Sequence, residues 1–586
     1  MNNLENKSQY SKRQRLEILR AQLDNERSTF TSHWRDLGDF ILPRRPRFYT
    51  SDVNKGDRRN QKIIDSTATL AARTLRSGMM SGVTSPARPW FRLTTPDPEM
   101  AEYGSVKEWL YKVQNIMSTS FLRSNLYNTL PILYGDLGVF GTAPMSVEED
   151  FTGNVLSCQS FPVGSYMISK NHNGMVDTFF REFKMTVRQI LQQFGTFDDG
   201  KPDWSNISSY IKGLYDAGQT EQWIEVCHVI KPNEDFDPKK LESKYKRYMS
   251  CYYEKGVSQG TQQNYIGGTS DSSKLLSEKG YDFFPILCPR WEVTGEDVYG
   301  TSCPGMDALG DIKQLQLGEK RSFEAIEKMI RPPMVAPSSL KNQSVSLLPG
   351  DLTYADVRDG QNGMRPAFEV NFRINEMEMK QDQVRQRIRR AFFEDLFLML
   401  STSDRRDITA REIEERHEEK LLALGPVLEQ LNQDLLDPLV DVAFNIHMRQ
   451  GLIPPPPDEL QGVQLKVEYL SIMAQAQKLI GIGGIERFTG FVGQMASIDP
   501  SVLDKIKADE VVDVYAEITS IPPGIVRTDD EVQGIRDQRA QAQQQQQEAM
   551  MAEQTAKAAK TMSETDLEGE NALNAVLQQA NAGRLV

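Results

Sequence analysis

From Leu16 to Ile41, apolar residues recur at spacings of three, four and seven: Leu16, Leu19, Leu23, Phe30, Trp34, Leu37 and Ile41. That spacing lays one apolar face along a helix and predicts a first helix ending at Pro43. The basic segment Arg44-Arg45-Pro46-Arg47 follows and is expected to be extended. Two more helical stripes come next, Ile64, Ala68, Ala71, Leu75 and Met79, then Trp109, Leu110, Val113, Ile116, Met117 and Phe121. A short helix around Leu130–Tyr134 leads into Gly138-Val139-Phe140-Gly141.

From about residue 145 the pattern turns to strands. Val155–Phe161, Ser165–Ser169, Met175–Phe183, Trp223–Ile230, Tyr245–Tyr253 and Phe283–Val293 are predicted, with turn signals such as Asn171-His172-Asn173-Gly174 between them. The polar stretch Gly256–Ser273 reads as an exposed loop. After Pro304 the helical period returns, with Met306, Leu309, Ile312, Leu315, Phe323, Ile326 and Ile330 on one helix that Pro332-Pro333 end. An extended segment over Met334–Phe372 precedes a helix predicted from about Asn375 to Leu400, carrying Arg385, Arg387, Arg389 and Arg390 off its apolar face. The polar break Ser401–Asp407 then gives way to a long helix. Thr409 and Glu412 occupy capping-box positions at its start, and Gly425-Pro426 predict a kink. Pro454–Pro457 form a stiff linker. Beyond Gln533 the chain is rich in Ala, Gln and Glu, with Gln543–Gln547 unbroken, and reads as a peripheral helix or a disordered tail. The fold class expected is α+β, mainly helical.

Composition narrows the function. The 586 residues carry 68 basic and 81 acidic side chains, a balance of −13. The balance is uneven: residues 1–90 hold 17 basic and 9 acidic residues (+8), and the remainder 51 and 72 (−21). Asp407–Asp441 alone holds ten acidic and three basic residues. The apolar stretches Phe392–Leu400 and Leu435–Ile446 are too short and too charged to span a bilayer, so no membrane partner is expected. The polar amino terminus lacks a signal-peptide core. Five scattered cysteines, with no C-x-x-C pair, read as reduced thiols in a cytosolic folding environment. No phosphate-cradling G-x-x-x-x-G-K-[ST] or G-x-S-x-G elbow occurs. Gly481-Ile482-Gly483-Gly484 lacks the third glycine of a dinucleotide loop. Cys227 and His228 are adjacent on a predicted strand, which aims them at opposite faces. No catalytic, metal or cofactor site is expected.

The order of elements is more informative than any one of them. A helix, a Pro-bounded extended insert, a basic helix, a polar basic loop and a long acidic helix read as a stalk with a tip. In this order the chain resembles the head-to-tail connector, or portal, proteins of short-tailed bacteriophages. The resemblance is carried by Trp34-Arg35-Asp36-Leu37 through Ile41-Leu42-Pro43-Arg44, Tyr299-Gly300-Thr301-Ser302-Cys303-Pro304-Gly305, Ala308–Ile312, Arg331-Pro332-Pro333-Met334 and Thr409-Ala410-Arg411-Glu412-Ile413. Cys303 departs from the more usual Ser-Pro of that family.

The resemblance implies a ring, most often a dodecamer, at one capsid vertex of the virion, assembled in the host cytoplasm. It divides the chain into a wing (1–300), first stem helix (301–331), clip (332–372), second stem helix (373–400), tunnel loop (401–408), kinked wing helix (409–453) and crown with its tail (454–586). Implied partners are double-stranded DNA in the channel, the terminase large subunit, tail adaptor and tail tube proteins, and major capsid and scaffold proteins, with core or ejection proteins as further candidates. Arg405 and Arg406, with Arg389 and Arg390, are the expected DNA-facing positions. Arg44, Arg45 and Arg47 are the expected subunit or capsid contacts. An acidic chain with isolated cationic rings would let a duplex slide, whereas a strongly basic wall would hold it. The alternatives are another virion structural or tail adaptor protein and, less well supported by motifs, a DNA-packaging enzyme.

Overall fold

The computed structural model describes residues 11–48, 59–97, 104–255 (apart from 152, 196, 199 and 200), 274–335, 373–402, 424–460, 465–469, 488–496 and 529–563, with a few isolated positions between. The architecture is α+β and mainly helical. Helix α1 (Lys12–Phe40) starts at a capping box, in which Ser11 and Gln14 exchange side-chain and backbone hydrogen bonds, and it stops just before Pro43. Helix α2 (Thr67–Val83) begins three residues later than the apolar spacing predicts, leaving Ile64 outside and exposed. Strand β1 (Phe91–Thr94) and helices α3 (Gly104–Arg123) and α4 (Leu126–Phe140) follow. Helix α4 runs longer than predicted: Pro131 lies inside it, past the first turn, at the loss of one backbone hydrogen bond, and Gly138 continues the helix instead of breaking it.

Strands β2 (Met145–Asp150) and β3 (Val155–Ser160) are antiparallel partners. Strands β4 (Tyr166–Lys170), β5 (Val176–Thr186), β6 (Trp223–Pro232), β7 (Tyr248–Glu254) and β8 (Ser277–Tyr281) form a five-stranded antiparallel sheet in the order β8-β7-β6-β5-β4. Two short helices, α5 (Val187–Phe194) and α6 (Ser209–Asp216), interrupt that series where none was predicted. The strand predicted over 283–293 shrinks to β9 (Ile286–Leu287), which joins β2 and β3, plus single bridges at Arg290 and Glu292. The expected loop Gly256–Ser273 lies outside the described residues.

Helix α7 (Pro304–Ile330) carries Pro at its first turn, where its missing N–H costs nothing. Strands β10 (Met334–Val335) and β11 (Arg365–Pro366) pair, closing the ends of the extended insert; most of what lies between is outside the described residues. The helix predicted over 375–400 is two helices, α8 (Ile374–Ala391) and α9 (Glu394–Thr402). Phe393 breaks them apart with φ of +55°. The apolar spacing could not reveal the break, because Ile388 and Phe392 before it and Leu396 and Phe397 after it are all buried. The long helix is described from residue 424, and its irregularity there is a π-helical turn over Asn432–Leu436, followed by α10 (Asp437–Arg449). Strand β12 (Lys466–Tyr469) pairs antiparallel with β1, nearly four hundred residues away in sequence.

One core joins these parts. Trp34, Leu37, Leu75, Leu133, Ile312, Ile388, Phe392, Leu435 and Ile446 belong to the same buried cluster. Two satellites cover the five-stranded sheet. In one, Leu16 and Leu23 of α1 meet Met167, Phe180, Cys227 and Cys251; the other gathers Ile190, Leu191, Ile211 and Val226. A second compact unit comprises 102–104 and 487–586, and within it α11 (Asp529–Ser563) is a long helix.

Candidate functional site

The motif residues at 34–45 and 299–305 converge on the end of α4. Trp34 donates its indole N–H to the Phe140 carbonyl at 3.1 Å and meets the Tyr299 ring edge-on at 5.1 Å between centroids. The Tyr299 hydroxyl accepts from the Ile168 N–H at 3.3 Å. Gly141 and Gly300 cross backbone to backbone, so a methyl group on either would overlap the other's carbonyl. Cys303 is buried; its thiol donates to the Val139 carbonyl at 3.2 Å, and burial pushes its pKa up to about 12. A thiol held that high is a packing group and not a nucleophile. Arg45 reaches Asp136 on the same helix with Nε at 2.8 and 2.6 Å from the two carboxylate oxygens, and Ser160 with Nη2 at 2.6 Å. These motifs build a joint between α1, α4 and the start of α7.

That joint aims α7, and α8 packs back along it as an antiparallel pair. Arginines hold the pair together. Arg385 bonds Asp65 at 2.9 Å, Asp382 at 2.6 Å and Glu319. Burial alone would lower its pKa, and the bonds to Asp65 and Asp382 outweigh that and raise it. Arg387 clasps Asp311 with bonds of 3.0 and 2.7 Å. Gln316 is buried between them, accepting from the Ile64 and Asp65 N–H groups and donating to the Asp65 carbonyl. Bidentate pairs of this kind fix orientation as well as supply energy.

Along α7 the surroundings change. Ala308, Leu309, Ile312 and Leu315 are buried, whereas Phe323, Ile326, Met329 and Ile330 are exposed, Phe323 by 63 % and Ile330 by 73 %. Met334 and Val335, just beyond, and Met379 on α8 extend this bare apolar surface. Apolar patches of this kind mark contact with another macromolecule.

The model of the family described as bacteriophage head to tail connecting protein matches residues 13–526. The chain is 49 % identical over 562 residues to the portal protein of Salmonella phage epsilon15, covering 96 % of this chain and 97 % of that one. It is 42 % identical over 556 residues to the probable portal protein of Bordetella phage BPP-1, covering 95 % and 96 %. The chain belongs to the head-to-tail connecting proteins of bacteriophages. Connecting proteins are structural parts of the virion.

Within this connector the arginines singled out from sequence have separate surroundings. Arg389 is exposed and lies 3.5 Å from Glu394 across the helix break. Arg390, one residue on, is exposed with no side-chain partner among the described residues. Arg405 and Arg406 lie outside the described residues. Arg44 and Arg47 are exposed, and the Arg47 N–H is bonded to the Val163 carbonyl at 2.9 Å. Arg45 is committed to Asp136 inside its own chain.

Cys227 and His228 face opposite sides, Cys227 into the cluster under α1 and His228 against the Tyr252 ring, 3.8 Å between centroids. Among the described residues, no group of three or more His, Cys, Asp or Glu is placed to hold a metal, and no helix is long and apolar enough to cross a membrane. Sequence reasoning missed Asp65, Asp311 and Glu319, the acids that neutralise Arg385 and Arg387 of α8, because their partners are up to 320 residues away. It also missed Arg73 and Arg76, whose spacing of three places both on one helix face.

Proposed function

We propose that this connector is the portal subunit of a phage head, one of a closed ring, most often twelve, that surrounds the channel for double-stranded DNA during packaging and ejection. Near full-length identity to two portal proteins carries the reading, and the bare apolar end of α7 supports it physically. A heterologous ring requires two different complementary faces on each subunit. The distal half of α7 supplies an apolar one that the isolated chain leaves uncovered. In this assembly α7 and α8 form the stem, residues 332–372 the clip that docks the terminase motor and later the tail proteins, and 401–408 the tunnel loop. Arg405 and Arg406, multiplied by ring symmetry, supply cationic rings with Arg389 and Arg390 nearby. The net charge of −13 keeps the rest of the wall from gripping phosphates. Residues 1–300 and 409–453 face outward as the wing toward capsid and scaffold proteins, and 454–586 form the crown.

End-on electron micrographs of the purified chain are expected to show rings with a central hole. Phe323→Asp with Ile330→Asp should leave folded monomers with unchanged circular dichroism. Monomers or open filaments from the unaltered chain would overturn the ring, and rings from the double variant would remove α7 from its interface.

A further inference from the structure

A recessed cavity of about 550 Å³ lies between α2 and the 41–45 segment, with Asp136 of α4 in its lining. Four arginines line it: Arg44, Arg45, Arg73 and Arg76. Asp136 is the one acidic residue among its lining side chains, and Arg45 already occupies both of that carboxylate's oxygens. Arg73 and Arg76 are exposed and make no side-chain hydrogen bond or ion pair among the described residues. Burial raises the Asp136 pKa, and Arg45 and then Arg76 oppose it. Folding therefore leaves a cavity with four guanidiniums, one carboxylate and two forks unspent. Like charges gathered in a recess repel, and an incoming anion with several oxygens relieves that repulsion.

We infer that this cavity is a carboxylate receptor, and that its occupant is the acidic stretch Glu412–Glu419 of a neighbouring copy. Three observations select that occupant. The stretch holds five glutamates against one arginine, the reverse of the cavity's balance. Glu412, Glu415 and Glu419 recur at three and four, so on a helix they share one face. The cavity is also the wrong shape for the chain's nucleic-acid partner. A rigid duplex presents phosphates on a convex surface, whereas side chains can enter a recess of this volume. The neighbouring copy is present only in the ring proposed above. The contact then deepens that assembly, adding a salt-sensitive ionic lock to the apolar contact of α7.

The test reads ring dissociation against sodium chloride concentration, by mass photometry of the full chain. Arg73→Gln with Arg76→Gln, both on the surface, should lower the dissociation midpoint at least twofold with circular dichroism unchanged. Arg73→Glu with Arg76→Glu should weaken the ring further. Adding Glu415→Arg and Glu419→Arg to that charge-reversed chain should restore the midpoint. An unchanged midpoint in the Gln variant, or a loss that the swap does not reverse, overturns the receptor. So does loss of binding to a labelled DNA duplex with ring stability intact, which would make the occupant nucleic acid. If the unaltered chain forms no ring, the assembly and this contact fall together.

Discussion

Two buried aspartates meet the same kind of partner in opposite settings. Asp434 sits on the π-helical turn and is clasped by Arg290, Nε at 2.9 Å from one oxygen and Nη2 at 3.1 Å from the other. Each side chain is only 3 % exposed, and Arg290 also donates to the Gly174 carbonyl. One charge faces one charge, sealed from water. Asp136 is as buried, but its Arg45 is 24 % exposed and three more arginines line the space beside it. A balanced sealed pair fixes geometry and asks nothing of a partner. A surplus of one sign does not help the chain fold, and the receptor inferred above gives it a counterpart from a neighbouring copy.

The π turn belongs to the sealed site. An extra residue in a helical turn shifts the register of everything beyond it. Here Asp434 points at Arg290 and Gln430 bonds the same carboxylate at 2.9 Å, while Leu435, Leu436 and Leu439 remain buried on the other side. The turn reconciles an ion pair on one face of the long helix with continuous apolar packing on another.

Three measurements bear on the contrast, the largest expected effect first. Asp434→Ala strands the buried Arg290 and should cost about 3–5 kcal/mol in urea unfolding. Asp136→Ala should cost less, about 1–3 kcal/mol, because Arg45 keeps Ser160 and access to water. Equal losses would mean that burial of the aspartate, and not closure of the site, sets the energetics. The smallest effect concerns an arginine beside a neutral base. His228 Nδ1 accepts from Arg181 Nε at 3.2 Å, and its Nε2 contacts the Ser250 hydroxyl at 2.9 Å. Burial, then Arg181, holds the His228 pKa well below 6.5. The unfolded chain therefore takes up a proton that the folded one refuses. The stabilisation is present above pH 6.5 and is lost as pH falls below it, by roughly 1 kcal/mol per unit. Stability measured at pH 7.5 and 5.5 should show a shallower acid loss in His228→Gln. An unaltered slope would place the proton elsewhere, with His447, also lowered by burial, as the next candidate.

Much of the helical frame was legible along the chain. Helix α1 could be read because its apolar face, its capping residues and the proline that stops it are all local. The same holds for α7, from Pro304 to Pro332. The break between α8 and α9 at Phe393 was not legible, since buried residues keep a helical spacing on both sides of it. Nor was the pairing of β1 with β12, because a four-residue strand does not name its partner. The candidate site divided in the same way. The Arg44–Arg47 run was visible at once, but its meaning depended on Asp136, which claims Arg45, and on Arg73 and Arg76, which face the same recess.

The sequence alone determined the order of helices, strand block, helix, extended insert, basic helix and long helix, and with it the family, because periodicity, prolines and capping residues act over a few neighbours. Only the tertiary structure decided which charges are spent. Arg385, Arg387, Arg290 and Arg45 form ion pairs with carboxylates far away in the chain, and Arg73 and Arg76 form none among the described residues. Coulombic pairing depends on distance in space, and the net charge of −13 counts paired and unpaired groups alike.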